Sequence, residues 1–90
     1  MAKDLNGEPF VGLAEVIFVG GPHHASRIIM AHPEFQMELE QDSGERITYC
    51  RRMVEAEMRD GRYVNIATYA PLGTTESEFS RLVVDAARLR

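Results

Sequence analysis

Three histidines fall within ten residues: His23, His24 and His32. Imidazole can ligate zinc or carry a proton near neutral pH, so a metal centre or a general base is the first chemistry to weigh. Cys50 could add a thiolate ligand. The chain has no CxxC, HxH or HExxH spacing to bring two ligands to one side of a strand or helix. Turn histidines that face water or bond nearby backbone are the expected alternative. Cys50 beside Arg51 and Arg52 could be an activated thiol, but a small buried residue is the commoner role. Ser26 near His24 is two parts of a triad without the third. Gly20-Gly21 closes an apolar run, as phosphate loops do. Those loops need G-x-G-x-x-G or G-x-x-x-x-G-K-[ST] opening a helix. Here Pro22, two histidines and Ile28-Ile29-Met30 follow, which excludes nucleotide binding. The reading is a non-enzyme with no cofactor, no catalytic residue and no metal.

The elements that must position these residues can be read along the chain. Residues 1–9 are polar and read as a frayed tail. Residues 10–19 are apolar on both parities, which predicts a strand buried on both faces, with Gly12 at a bulge. Gly20-Gly21-Pro22 ends it in a hairpin turn, and residues 27–32 form the return strand, stopped at Pro33. Residues 35–41 alternate, with Phe35, Met37 and Leu39 on one face and Gln36, Glu38 and Glu40 on the other. Residues 46–59 read as a strand from Ile47-Thr48-Tyr49-Cys50. A helix is the alternative, with Cys50, Met53, Val54, Glu57 and Met58 on one face. The strand is favoured because Asp60-Gly61 is a hairpin dipeptide and residues 63–69 are strand-like. Thr75-Glu76-Ser77-Glu78 has capping-box spacing, and Phe79, Leu82, Val83, Ala86 and Leu89 form a stripe, predicting a helix over 76–89. The sum is one α+β domain over 1–90: an antiparallel sheet of four to five strands with one C-terminal helix packed on a face.

Bulk properties narrow the function. The chain has 90 residues, 44% hydrophobic and 27% charged, enough for one modest core. A net charge of −4 argues against general binding to nucleic-acid backbones. One cysteine forms no internal disulfide, and no signal peptide or membrane-length apolar run is visible, so a soluble cytoplasmic protein is expected. The charges also segregate. Glu34, Glu38, Glu40, Asp42 and Glu45 precede Arg46, Arg51, Arg52, Arg59 and Arg62. If the two segments pair across the turn at 42–45, opposite charges meet across strands.

The stretch Phe18-Val19-Gly20-Gly21-Pro22-His23-His24-Ala25 resembles the strand-GGP-x-H-G opening of many small actinobacteriophage proteins, mycobacteriophage ones especially; Ala25 stands where that pattern has glycine. Tyr49-Cys50-Arg51-Arg52 and Asp60-Gly61-Arg62-Tyr63-Val64 are similar to later features of that group, and together the matches span roughly half the chain. Most members have no known function, and some small phage proteins bind and inhibit a host protein. The resemblance therefore implies a non-enzymatic accessory protein in the host cytoplasm, contacting a host factor in growth, division or transcription. It carries over no catalytic residue. The expected contact residues are His23, His24, Tyr49, Arg51, Arg52 and Tyr63, using an exposed strand edge or the outer helix face, with a homodimer through edge strands as a further expectation. The alternatives are a nucleic-acid module on the 46–62 hairpin with Tyr49 and Tyr63, and a metal site on the three histidines.

Overall fold

The computed structural model describes residues 12–89; the tail expected at 1–9, and Phe10 and Val11 of the first expected strand, lie outside them. Local patterning sets the elements. They are β1 (Leu13–Phe18), β2 (Arg27–Ala31), β3 (Gln36–Glu40), β4 (Arg46–Arg59), β5 (Arg62–Pro71) and α1 (Glu76–Arg88). The favoured reading of 46–59 as strand is the one observed. Asp60 and Gly61 both take positive φ, 48° and 81°, in a two-residue turn that sets Arg59 opposite Arg62.

The strand order is β2-β1-β5-β4-β3. The sheet is mixed rather than purely antiparallel, because β5 runs parallel to β1, with Glu15 opposite Ile66 and Phe18 opposite Tyr69. Every other pair is antiparallel. Burial of β1 on both faces implies a central strand. It does not reveal that the last strand of the chain would lie beside the first. The bulge also falls elsewhere than expected. It lies in β4, between Arg51 and Met53, whereas Gly12 simply takes φ 110° and accepts the His32 N–H.

The sheet must curl. Strands β2 and β3 lie at opposite edges, yet only residues 32–35 join them. From Ala31 to Gln36 the chain reaches about 18 Å at most. On a flat sheet four strand spacings alone are about 19 Å, and the registers add an offset of about 20 Å along the strands. The connector therefore passes beneath a curved sheet. Pro33 is fully buried there, the Tyr69 hydroxyl donates to the Glu34 carbonyl, and the Arg51 N–H donates to the Phe35 carbonyl at 2.8 Å.

The curl divides the core in two. Ala14, Val16, Phe18, Tyr49, Val54, Ala67 and Tyr69 pack on the inner face, with Met30, Met37, Leu39 and Ile47 against them. Helix α1 covers part of the outer face, setting Phe79 and Ala86 on Ile17, Val19, Ile66 and Ala70. Leu89, expected in the apolar stripe, is exposed because the helix has ended.

The expected capping box is present. Thr75 Oγ1 accepts the Glu78 N–H at 3.2 Å, and Glu78 Oε1 accepts the Thr75 N–H at 3.0 Å. The Thr75 N–H bond, and after it the bond that the Thr75 hydroxyl donates to the same Oε1 at 3.0 Å, hold the Glu78 carboxyl below its ordinary pKa. A lowered carboxyl pKa stabilises the fold above the unfolded carboxyl range and loses that contribution as pH falls through the folded value. Melting curves from about pH 6 to 3 should therefore be less steep in pH for Glu78→Gln than for wild type. Thr75→Ala should cost about 1 kcal/mol in urea unfolding.

The turn between β1 and β2 allows a sharper check. Gly21 has φ 67°, and a Cβ there would stand 2.6 Å from the Tyr49 hydroxyl. Gly21→Val should therefore lower the melting temperature far more than His23→Ala, whose side chain is only partly buried.

Candidate binding edge

The residues expected to meet a partner are mostly committed to the fold. Tyr49 is 0% exposed. Its hydroxyl donates to the Gly20 carbonyl at 2.8 Å and accepts the His23 N–H at 3.1 Å. Burial pushes this phenol above its ordinary pKa, against the opposing pull of the His23 N–H. Arg51 is 3% exposed, with its guanidinium 5.4 Å from the Phe35 ring centroid. Neither can contact a partner, because the curl and the connector enclose both. Arg52, at the bulge, points to the helix side. It donates to the Thr74 carbonyl and to Glu76, each at 2.7 Å, and lies 4.8 Å from the Phe79 centroid. This arrangement anchors the start of α1 on the sheet.

The histidines have structural roles: His24 and His32 bond nearby backbone, as one of the two expectations for them had it, rather than only facing water as partner contacts. His24 Nδ1 accepts the Gly20 N–H at 2.7 Å, so its proton sits on Nε2, which bonds Asp85 at 3.0 Å. Both nitrogens are used, and the pair ties α1 to the turn. The His23 ring packs against Phe18 and Tyr49, at 6.1 and 6.0 Å between centroids. His32 Nδ1 accepts the Gly12 N–H at 2.9 Å. His32 and His24 thus stand beside opposite ends of β1 and do not converge. Among the described residues no group of three or more His, Cys, Asp and Glu is placed to hold a metal.

The segregated charges pair only in part across the hairpin. Arg46 meets Glu38 at 3.0 Å. Arg59 instead crosses to β1, donating twice to Glu15 at 3.1 Å and once to Glu57 at 2.7 Å; the Glu15 bonds, with Glu57's, raise its pKa. Arg27 also meets Glu15, at 3.0 Å. Tyr63 alone of the six residues is well exposed, at 71%, opposite Met58.

The structure presents a different feature beside this pair. β4 is 14 residues long and β3 only five. The β3 ladder stops at Cys50 opposite Gln36, followed by the Arg51–Phe35 bond. Beyond Arg51 no strand among the described residues lies on the outer side of β4. Hydrogen-bond alternation identifies the groups left there. Tyr69 accepts from Val19 and so faces β1. Thr68, Ile66 and Val64 then face β4, where they oppose Met53, Glu55 and Glu57. The N–H and C=O groups of Val54, Ala56 and Met58 point outward. The side chains of Glu55, Ala56, Glu57 and Met58 are exposed along this edge. Sequence reasoning expected an exposed strand edge without placing it on β4, because where β3 stops pairing is set by the register and not by any residue type.

The concavities range from about 80 to about 380 Å³. A cleft of about 80 Å³ between sheet and helix, lined by residues including Met53, Thr68 and Val83, takes little more than water. A shallow hollow beside Pro22 and His23 is bordered by Glu40, Gln41, Asp42 and Ser43. No helix among the described residues is long and apolar enough to cross a membrane. No protein-family model, curated protein or solved structure matches this chain.

The Tyr49 clamp is directly testable. Tyr49→Phe keeps the ring but leaves the Gly20 carbonyl and the His23 N–H without their partner. It should cost about 1–3 kcal/mol in chemical denaturation.

Proposed function

We propose that this protein binds another protein by accepting an extended segment of its partner on the outer edge of β4. The observation that carries the reading is the row of outward backbone groups at Val54, Ala56 and Met58, on a ribbon whose side chains are exposed. Strand addition supplies affinity through main-chain bonds and specificity through alternate side chains. Met58 and Tyr63 add an exposed apolar pair of the kind found in interface centres. Under the resemblance to small actinobacteriophage proteins, the partner is a host-cell protein whose own strand pairing is occluded.

A second copy of this chain suits the middle of the β4 edge poorly. In an antiparallel pairing centred on Glu55, Ala56 or Glu57, a glutamate falls opposite a glutamate, which is unfavourable. The nucleic-acid alternative on 46–62 has weak support, because Arg46, Arg52 and Arg59 meet carboxylates and Arg51 is buried.

Photo-crosslinking tests the reading. A crosslinking residue at Met58, in lysate of cells that express the protein, should give one discrete protein adduct. Ala56→Pro should abolish it while leaving the melting temperature within a few degrees, since that N–H faces away from β5. An adduct that survives Ala56→Pro, or forms equally from Ser80 on the outer helix face, overturns the edge reading. A nucleic-acid adduct replaces it with the alternative.

A further inference from the structure

The opposite edge of the sheet has a different character. At one end of β2 the Phe18 N–H donates to the Ser26 carbonyl and the Phe18 carbonyl accepts from Ala25; at the other, Gly12 accepts from His32. Gly12, Ala14, Val16 and Phe18 therefore face β2. Their partners Ile28 and Met30 face back toward β1. By the same alternation, the backbone groups of Arg27, Ile29 and Ala31 point away from the sheet. No strand among the described residues pairs with them. Apolar side chains sit on this edge: Ile29 is 66% exposed and Ile28 44%, and Leu13 beside them on β1 is also exposed.

We propose that β2 pairs with β2 of a second copy of this chain, antiparallel and centred on Ile29, joining two sheets edge to edge. The pattern is self-complementary about that residue. Ile29 meets Ile29, and the two exchange both backbone bonds. Arg27 and Ala31 oppose each other twice, with all four groups already aimed outward. Ile28 meets Met30 on the inner face, and no like charges are opposed. Arg27 stays on Glu15, at 3.0 Å, and faces only Ala31 across the junction. A symmetric contact of this kind closes on itself and forms a dimer rather than a fibre. Centring on residues 55–57 of β4 opposes glutamates instead, so the middle of that edge suits a second copy less well than β2 does.

Analytical ultracentrifugation of the full chain across micromolar to millimolar concentration tests this. A reversible monomer–dimer equilibrium is expected. Ile29→Pro removes an outward N–H without touching the β1 ladder, and Ile29→Lys places two cations together on the two-fold axis. Each should raise the dimer dissociation constant at least about tenfold, with the far-ultraviolet circular dichroism unchanged. Ala56→Pro should leave the dimer intact. A full chain that stays monomeric at millimolar concentration overturns the proposal. If deletion of residues 1–11 then allowed dimers, the edge would belong to the chain's own first residues. A dimer that resists both Ile29 variants but yields to Ala56→Pro overturns it in favour of the β4 edge.

Discussion

The connection from β2 to β3 is the constraint on which the rest depends. Two strands at opposite edges of a five-stranded sheet are joined by residues 32–35. That chain is too short to go around a flat sheet, so the sheet curls over it. Curling turns one face inward, and large side chains fill the space: Tyr49, Tyr69, Phe18 and Pro33. No helix is needed on that side. Helix α1 is left for the outer face, where Arg52 fixes its start and His24 holds Asp85 on its last turns.

The same constraint accounts for the tight turn between β1 and β2. The curl brings that turn over β4, close enough for the Tyr49 hydroxyl to bridge the Gly20 carbonyl and the His23 N–H. The approach leaves no space for a side chain at Gly21, and the positive φ suits glycine there. The Gly20-Gly21-Pro22-His23-His24 stretch looks like a site when read as sequence. In the folded chain its backbone is bound to a buried tyrosine, and His24 spends both ring nitrogens on the protein itself.

The open edges follow from it as well. Because the chain first passes beneath Tyr69 and reaches β4 only at Phe35, β3 cannot accompany β4 farther, and the distal half of β4 keeps outward-facing backbone. At the opposite edge β2 is the last strand among the described residues. Edge strands are usually protected by charge, short length or irregularity. Here β4 carries Glu55 and Glu57, whereas β2 is short but apolar, with Ile28 and Ile29 exposed. The two edges therefore differ in what they can accept.

Features under the control of local chemistry are legible in the order of residues. The β3 alternation, the Asp60-Gly61 turn, the Thr75 capping box and the both-parity burial of β1 are short-range consequences of side-chain period, backbone sterics and terminal hydrogen bonding. Each is found where those rules place it. The strand at 46–59 was legible from the turn signals at its two ends, against helix-forming residues in its middle. Only the tertiary structure decided that β5 lies parallel to β1, that the connector runs beneath the sheet, and that Tyr49 and Arg51 are enclosed while Tyr63 is not. Those outcomes depend on contacts between residues far apart in the chain, such as Tyr49 with Gly20 and Tyr69 with Glu34. An arginine or tyrosine in a strand has the same local pattern whether its face turns toward solvent or toward a connector arriving from the far edge. The candidate surface is therefore the part least visible in sequence: an unpaired edge is defined by the neighbour a strand lacks, and no residue type encodes it.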